Sequence, residues 1–107
     1  MPGIFVQKSP DIQKSVAVGT TVVELMPEKT TNERRVWVVT NTSTLNQTIT
    51  LGIGRDAVAG SGIVLAAGAS WVESQDSKFA PANERITAIS SAVNGSVSVY
   101  ERSEAIA

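Results

Sequence analysis

Apolar side chains in this chain recur at every second position in short runs, and turn residues interrupt the runs at intervals of about 8–12 residues. That is the signature of half-buried strands, whose successive side chains point to opposite faces. The pattern predicts strands over 15–18, 20–26, 34–41, 47–53, 63–65, 70–74, 85–91 and 96–102. The strongest is 34–41. There Val36, Trp37, Val38 and Val39 place apolar groups on both parities, implying burial on both faces, or one face in the core and the other against a partner. In 47–53 the alternation is clean, with Ile49, Leu51 and Ile53 on one side and Thr48 and Thr50 on the other. Val97 and Val99 point inward from the last strand, and Asn94-Gly95 before it signals a two-residue hairpin. The Gly- and Ala-rich stretch 54–62 has room for one helical turn at 56–59, capped by Gly60. Residues 1–14 hold Pro2, Gly3 and Pro10 with isolated apolar groups and are expected to form an extended N-terminal arm. The domain proper is expected over 15–102, with a frayed tail at 103–107. About eight short antiparallel strands and no long helix predict a single all-β domain, a sandwich or a barrel.

Composition strengthens this picture. Val, Ile and Thr make up 32 of the 107 residues, and branching at Cβ suits a pleated surface. The chain has no His and no Cys. That removes imidazole bases, thiolate nucleophiles, disulfides and the usual zinc and iron–sulfur ligands. Nine basic against ten acidic side chains, a net charge of −1, argue against a nucleic-acid binder. Only three consecutive apolar residues, Ile4-Phe5-Val6, occur near the start. A signal peptide needs about 7–15 and a membrane-spanning helix about 20, so no membrane partner is expected.

Few residues carry candidate chemistry. Gly52-Ile53-Gly54-Arg55-Asp56-Ala57 matches a dinucleotide-binding spacing, but Gly60 and Gly62 end any helix that would hold a pyrophosphate, so a glycine-bent loop is expected and no cofactor. The carboxylates show no convergence on one bond; Glu73 and Asp76, three residues apart at a strand–loop junction, do not by that spacing make a pair. No Asp-x-Asp spacing suggests a calcium loop. Catalytic, cofactor-binding and metal-binding residues are therefore expected to be absent. Three Asn-x-Ser/Thr sequons, at Asn41, Asn46 and Asn94, are chance matches in a Ser/Thr-rich chain. Arg34 and Arg35 open the strongest strand, as a charged entrance or as a contact for a partner. Trp37 sits in a Val-rich run and is expected in the core or an interface. Trp71 is the better candidate of the two for an exposed contact, including stacking on a sugar, although packing in the core or against a subunit is the favoured expectation there too. Ile4, Phe5 and Val6 lie on an arm without a local core, so docking is expected of them, onto the chain's own sandwich or onto a neighbouring subunit. Arg34, Arg35 and Trp71 complete the candidate interface.

The order of these segments resembles a loose pattern in small virion proteins of tailed phages and related viruses. It begins with an Arg-led strand ending in Asn, 34–41, and a Gly-x-Gly strand, 49–54. It continues with Gly62-Ile63-Val64-Leu65 running to Gly68-Ala69-Ser70, then Ile86-Thr87-Ala88-Ile89, and closes on Val97-Ser98-Val99-Tyr100-Glu101. The likeness covers roughly 16–102; one departure is Ala67-Gly68 where Pro-Gly is the commoner turn. The resemblance implies a compact β-sandwich, often jelly-roll-like, without catalysis. It implies a capsid decoration or cement protein, made in the host cytoplasm and carried on the virion surface. Its partners would be the lattice of the major capsid protein and copies of itself, a trimer being favoured. The alternative is a carbohydrate-binding or tail- or fibre-associated module.

Overall fold

The computed structural model describes residues 11–75 and 80–105. Among them are eight strands and no helix: β1 (Ile12–Val18), β2 (Val23–Met26), β3 (Asn32–Asn41), β4 (Ile49–Ile53), β5 (Ile63–Leu65), β6 (Ser70–Ser74), β7 (Ile86–Ser90) and β8 (Gly95–Ala105). They form two four-stranded sheets, ordered β1-β8-β3-β6 and β2-β7-β4-β5, with every pair antiparallel. Apart from the β4–β5 hairpin, each connection carries the chain from one sheet to the other.

Alternation decides which side chains meet between the sheets. On β3, Trp37, Val39 and Asn41 are fully buried, while Val36, Val38 and Thr40 on the opposite face are half-buried. Val97 and Val99 of β8 stand beside them. From the second sheet come Leu25, Met26, Ile49, Leu51, Leu65, Ile86 and Ala88, and all these apolar residues form one cluster with Val18. Each such side chain contributes on the order of 1.5–3 kcal/mol when fully buried.

The outer face of the second sheet is also covered in part, by the segment 54–62. Thr50 and Thr87 point outward there yet are buried. Thr87 Oγ1 donates to Arg55 O (2.7 Å) and accepts from Ala57 N (2.9 Å). Thr50 Oγ1 accepts from Gly60 N (2.9 Å). This fold-back needs Gly52, because a Cβ there would stand 2.6 Å from Arg55 O and 2.8 Å from Ala57 N. The helical turn expected at 56–59 does not form. The segment is instead a turn with a bridge between Val58 and Ser61, since its polar backbone groups bond to the threonines of the sheet.

The hairpin expected at Asn94-Gly95 is also replaced. β7 and β8 lie in different sheets, so the turn crosses between layers. Only Asn94 adopts the left-handed backbone, at φ 67°. Gly95 serves a different need, because a Cβ on it would come within 2.6 Å of Val18 O and 2.8 Å of Ser90 Oγ. Strand ends differ from expectation as well. β1 begins at Ile12, within the segment 1–14 expected as an arm, because Ile12, Gln13 and Lys14 pair with Glu101, Tyr100 and Val99. β8 runs through Ser103–Ala105, expected as tail, because β3 begins at Asn32 and pairs with it that far.

Replacing Gly52 by Ala should destabilise the domain by about 1–3 kcal/mol through overpacking. Gly19→Ala, where no atom lies within 4 Å of the new methyl, should stay within about 0.5 kcal/mol. Urea denaturation midpoints of the two variants measure the difference.

Candidate functional site

Arg34, expected at a surface, is buried inside the domain. Counting alternation back from Trp37 puts Arg35 on the core face, but a bulge between Arg34 and Val36 shifts the register and turns Arg34 inward. Its guanidinium donates through Nε to Glu101, through Nη1 to Ala82 O (2.8 Å) and Glu84 O (2.6 Å), and through Nη2 to Pro27 O. Its backbone N–H donates to Asn83 Oδ1 (2.9 Å). Four donor contacts of one planar group thus tie β3, β8 and two loops together. Both side chains of the Arg34–Glu101 pair are fully removed from solvent. With its donors engaged inside, Arg34 has no charge to offer a partner.

A second cation completes the cluster. Lys29 Nζ lies 3.0 Å from Glu101 Oε1 and 3.5 Å from Asp11 Oδ2. Ser103 Oγ donates to the same Asp11 carboxylate. Asp11 N donates to Glu101 O (2.8 Å). Two acids and two bases therefore neutralise one another at the end of the first sheet. Sequence reasoning passed over Glu101, although the signal was present. Val97, Val99 and Glu101 share one parity, and a carboxylate on a core face requires a buried cation.

Arg35 remains at the surface. It pairs with Glu104 (3.1 Å, side chains 35% and 62% exposed) and donates to Gln75 Oε1. Trp37 is buried, as expected, while Trp71 retains 38% of its surface. Glu73, between them on β6, accepts from Trp37 Nε1 (3.2 Å), Trp71 Nε1 (3.2 Å) and Ala82 N (2.9 Å). One carboxylate thereby holds both indoles. Its companion in the sequence reading, Asp76, lies outside the described residues, as do Ile4, Phe5 and Val6. Of the expected interface, Arg35 and Trp71 are accessible.

Other motifs are absorbed by the fold. Asn41 is buried, its amide donating to Gln47 O (3.0 Å) and Leu65 O (2.9 Å), so its sequon serves loop closure. The glycine segment after β4 leaves a hollow of about 330 Å³ lined in part by Leu51, Ile53, Arg55, Asp56 and Ile63, with no helix N-terminus to hold a phosphate. Asp56 at its rim is paired with Arg85 (2.9 Å). Among the described residues no three carboxylates gather at one point.

The outer face of the first sheet has another character. Register places Ser15, Ser98, Thr40 and Ser70 in one row across the strands and Gln13, Tyr100, Val38 and Val72 in the next. Neither row contains a formal charge. Hydroxyls pair across strands within this face, Thr40 with Ser70 (2.7 Å) and Thr42 with Ser96 (2.8 Å). An uncharged, pleated surface with Val72 56% exposed can be covered without stripping water from ions. No family model matches the chain, and a search of curated proteins finds no match.

Removing the buried guanidinium by Arg34→Met leaves Glu101 and three carbonyls short of donors, and should cost about 3–5 kcal/mol. Arg35→Met breaks only an exposed pair and should cost no more than about 1 kcal/mol. Guanidinium chloride unfolding followed by tryptophan fluorescence measures both.

Proposed function

We propose that this chain is a non-enzymatic viral structural protein, a decoration or cement protein that binds the outside of an assembled capsid and stabilises it. The observation that carries the reading is the strand order. Sheets ordered β1-β8-β3-β6 and β2-β7-β4-β5 around one core support a jelly-roll-like sandwich, an architecture common in capsid proteins. The surface chemistry supports the same reading: Arg34, Lys29, Glu101, Asp56 and Arg85 are held in ion pairs, and two adjacent rows across the outer face of the first sheet carry no charge. In this reading the protein acts on the virion surface as a homo-oligomer. It grips the major capsid protein lattice through Ile4, Phe5 and Val6, with Arg35 and Trp71 at further contacts. Weak contacts suffice, because many copies engage one lattice at once.

A second reading, a carbohydrate-binding or tail- or fibre-associated module, is favoured by one observation. Trp71 is partly exposed with its indole oriented by Glu73, the arrangement of an aromatic platform beside a polar group. Under that reading a glycan array gives hits that Trp71→Ala abolishes. Under the decoration reading the array is blank.

The capsid reading is tested by co-sedimentation with assembled shells of the parent virus. The intact protein should pellet with shells and not with free capsid subunits. Deleting residues 1–10, which leaves β1 whole, should reduce shell binding at least tenfold with an unchanged unfolding midpoint. Equal binding by the shortened chain would contradict the role given to Ile4, Phe5 and Val6. A failure of the intact chain to bind would contradict the function.

A further inference from the structure

Among the described residues, each sheet ends on two edge strands, β1 and β6 in the first and β2 and β5 in the second. An edge offers a row of N–H and C=O groups to any passing strand, and proteins guard edges with charges, bulges or brevity. Three of these four are guarded. β1 carries Lys14, exposed on the side of the pleat that holds Val99. β2 has four residues and a bulge between Glu24 and Met26. β5 has three residues. β6 is different. Its five residues run in unbroken register with β3, without Lys, Arg, Pro or bulge. Its one charged group, Glu73, is committed to the two indoles and Ala82 N. Val72 at its centre is 56% exposed.

We propose that β6 pairs antiparallel with β6 of a second copy, about a two-fold axis at Val72, joining two four-stranded sheets into one of eight strands. The phase of the backbone supports this. Asn41 N donates to Ala69 O (2.9 Å) and Gln75 N to Arg35 O (2.8 Å), so odd-numbered residues of this stretch bond to β3. Ser70, Val72 and Ser74 therefore direct their N–H and C=O groups away from the sheet. With Val72 opposite its own copy, all five residues overlap and the outward groups exchange about six hydrogen bonds.

The side chains fit the same register. Val72 meets Val72, Ser70 meets Ser74, and Trp71 meets Glu73, the carboxylate to which its own indole already donates. No like charges face each other. Sliding one way sets Glu73 against its copy and sliding the other sets Trp71 against its copy, and both shorten the overlap. On the outer face the row Tyr100, Val38, Val72 runs unbroken into the same row of the second copy. The inference rests on the self-association within the proposed function and narrows it to one edge with two-fold symmetry, in place of the trimer implied by the resemblance.

The full-length chain has no Cys, so Val72→Cys supplies one thiol per copy. In the paired register the two Cα atoms lie about 5.5 Å apart, within disulfide reach. Mild oxidation should convert most of this variant to a covalent dimer. Ser98→Cys, on the same face two strands inward, should remain single. Sedimentation should give a dimer for the native chain and a monomer for Val72→Lys, in which two ammonium groups would face each other. A monomeric native chain, a trimer, a dimer that survives Val72→Lys, or a Val72→Cys thiol that stays reduced would overturn the pairing. Loss of association in Phe5→Ser with that thiol still reduced would identify the leading segment as the occupant, and also overturn it. Shell co-sedimentation is read separately, so the edge contact and the capsid reading fail independently.

Discussion

A guanidinium and a carboxylate, both removed from water, organise one end of this protein. Burying either alone would cost several kcal/mol, so each requires the other and every remaining hydrogen bond. Arg34 meets that requirement by drawing in the carbonyls of Pro27, Ala82 and Glu84, and Glu101 by drawing in Lys29. The consequence is architectural. Two loops that bridge the layers are held to neighbouring strands β3 and β8, the most extensively paired in the structure. An apolar cluster specifies burial but tolerates many arrangements of similar volume. A bidentate-capable cation with fixed partners accepts few, so the bulge, the register of β3 on β8 and the course of both loops are fixed together.

How far the chain could be read without its structure follows from the same distinction. Periodicity of two exposed the strands, because burial acts on each side chain separately and leaves a local trace. Ile49 and Leu51, Val97 and Val99 are inside as their alternation requires. Features that depend on contacts between distant segments were not legible. The bulge that exchanges Arg34 for Arg35 is invisible without β8 beside it. Asn94-Gly95 has the composition of a hairpin, yet the layers compete for β7 and β8, and the turn became a crossing between sheets. Gly52 and Gly54 matched a nucleotide-binding spacing for a reason unrelated to nucleotides: the following loop must approach the strand closely enough to bond Thr87.

The candidate site divides in the same way. Trp37 is buried as its Val-rich run suggested, and Trp71 is partly exposed where packing in the core or against a subunit was the favoured expectation. Glu73, weighed only beside Asp76, proves to be the carboxylate that links the two indoles. Arg34 and Arg35, adjacent and chemically identical, have opposite fates because one bulge decides which enters the core. Among the described residues, the surface retains two uncharged rows on the outer face of the first sheet and the unguarded edge β6. Those are properties suited to contact with other protein surfaces, and they follow from the same economy of charge that placed the ions in pairs.

The central claim is that Arg34 and Glu101 act as one unit. A double-mutant cycle with Arg34→Met, Glu101→Leu and the combined variant tests it most directly, with stability from chemical denaturation. The account predicts that each single change is severe and that the double loses at least about 2 kcal/mol less than the two added together. Strict additivity, or singles that cost under about 1 kcal/mol, would contradict it.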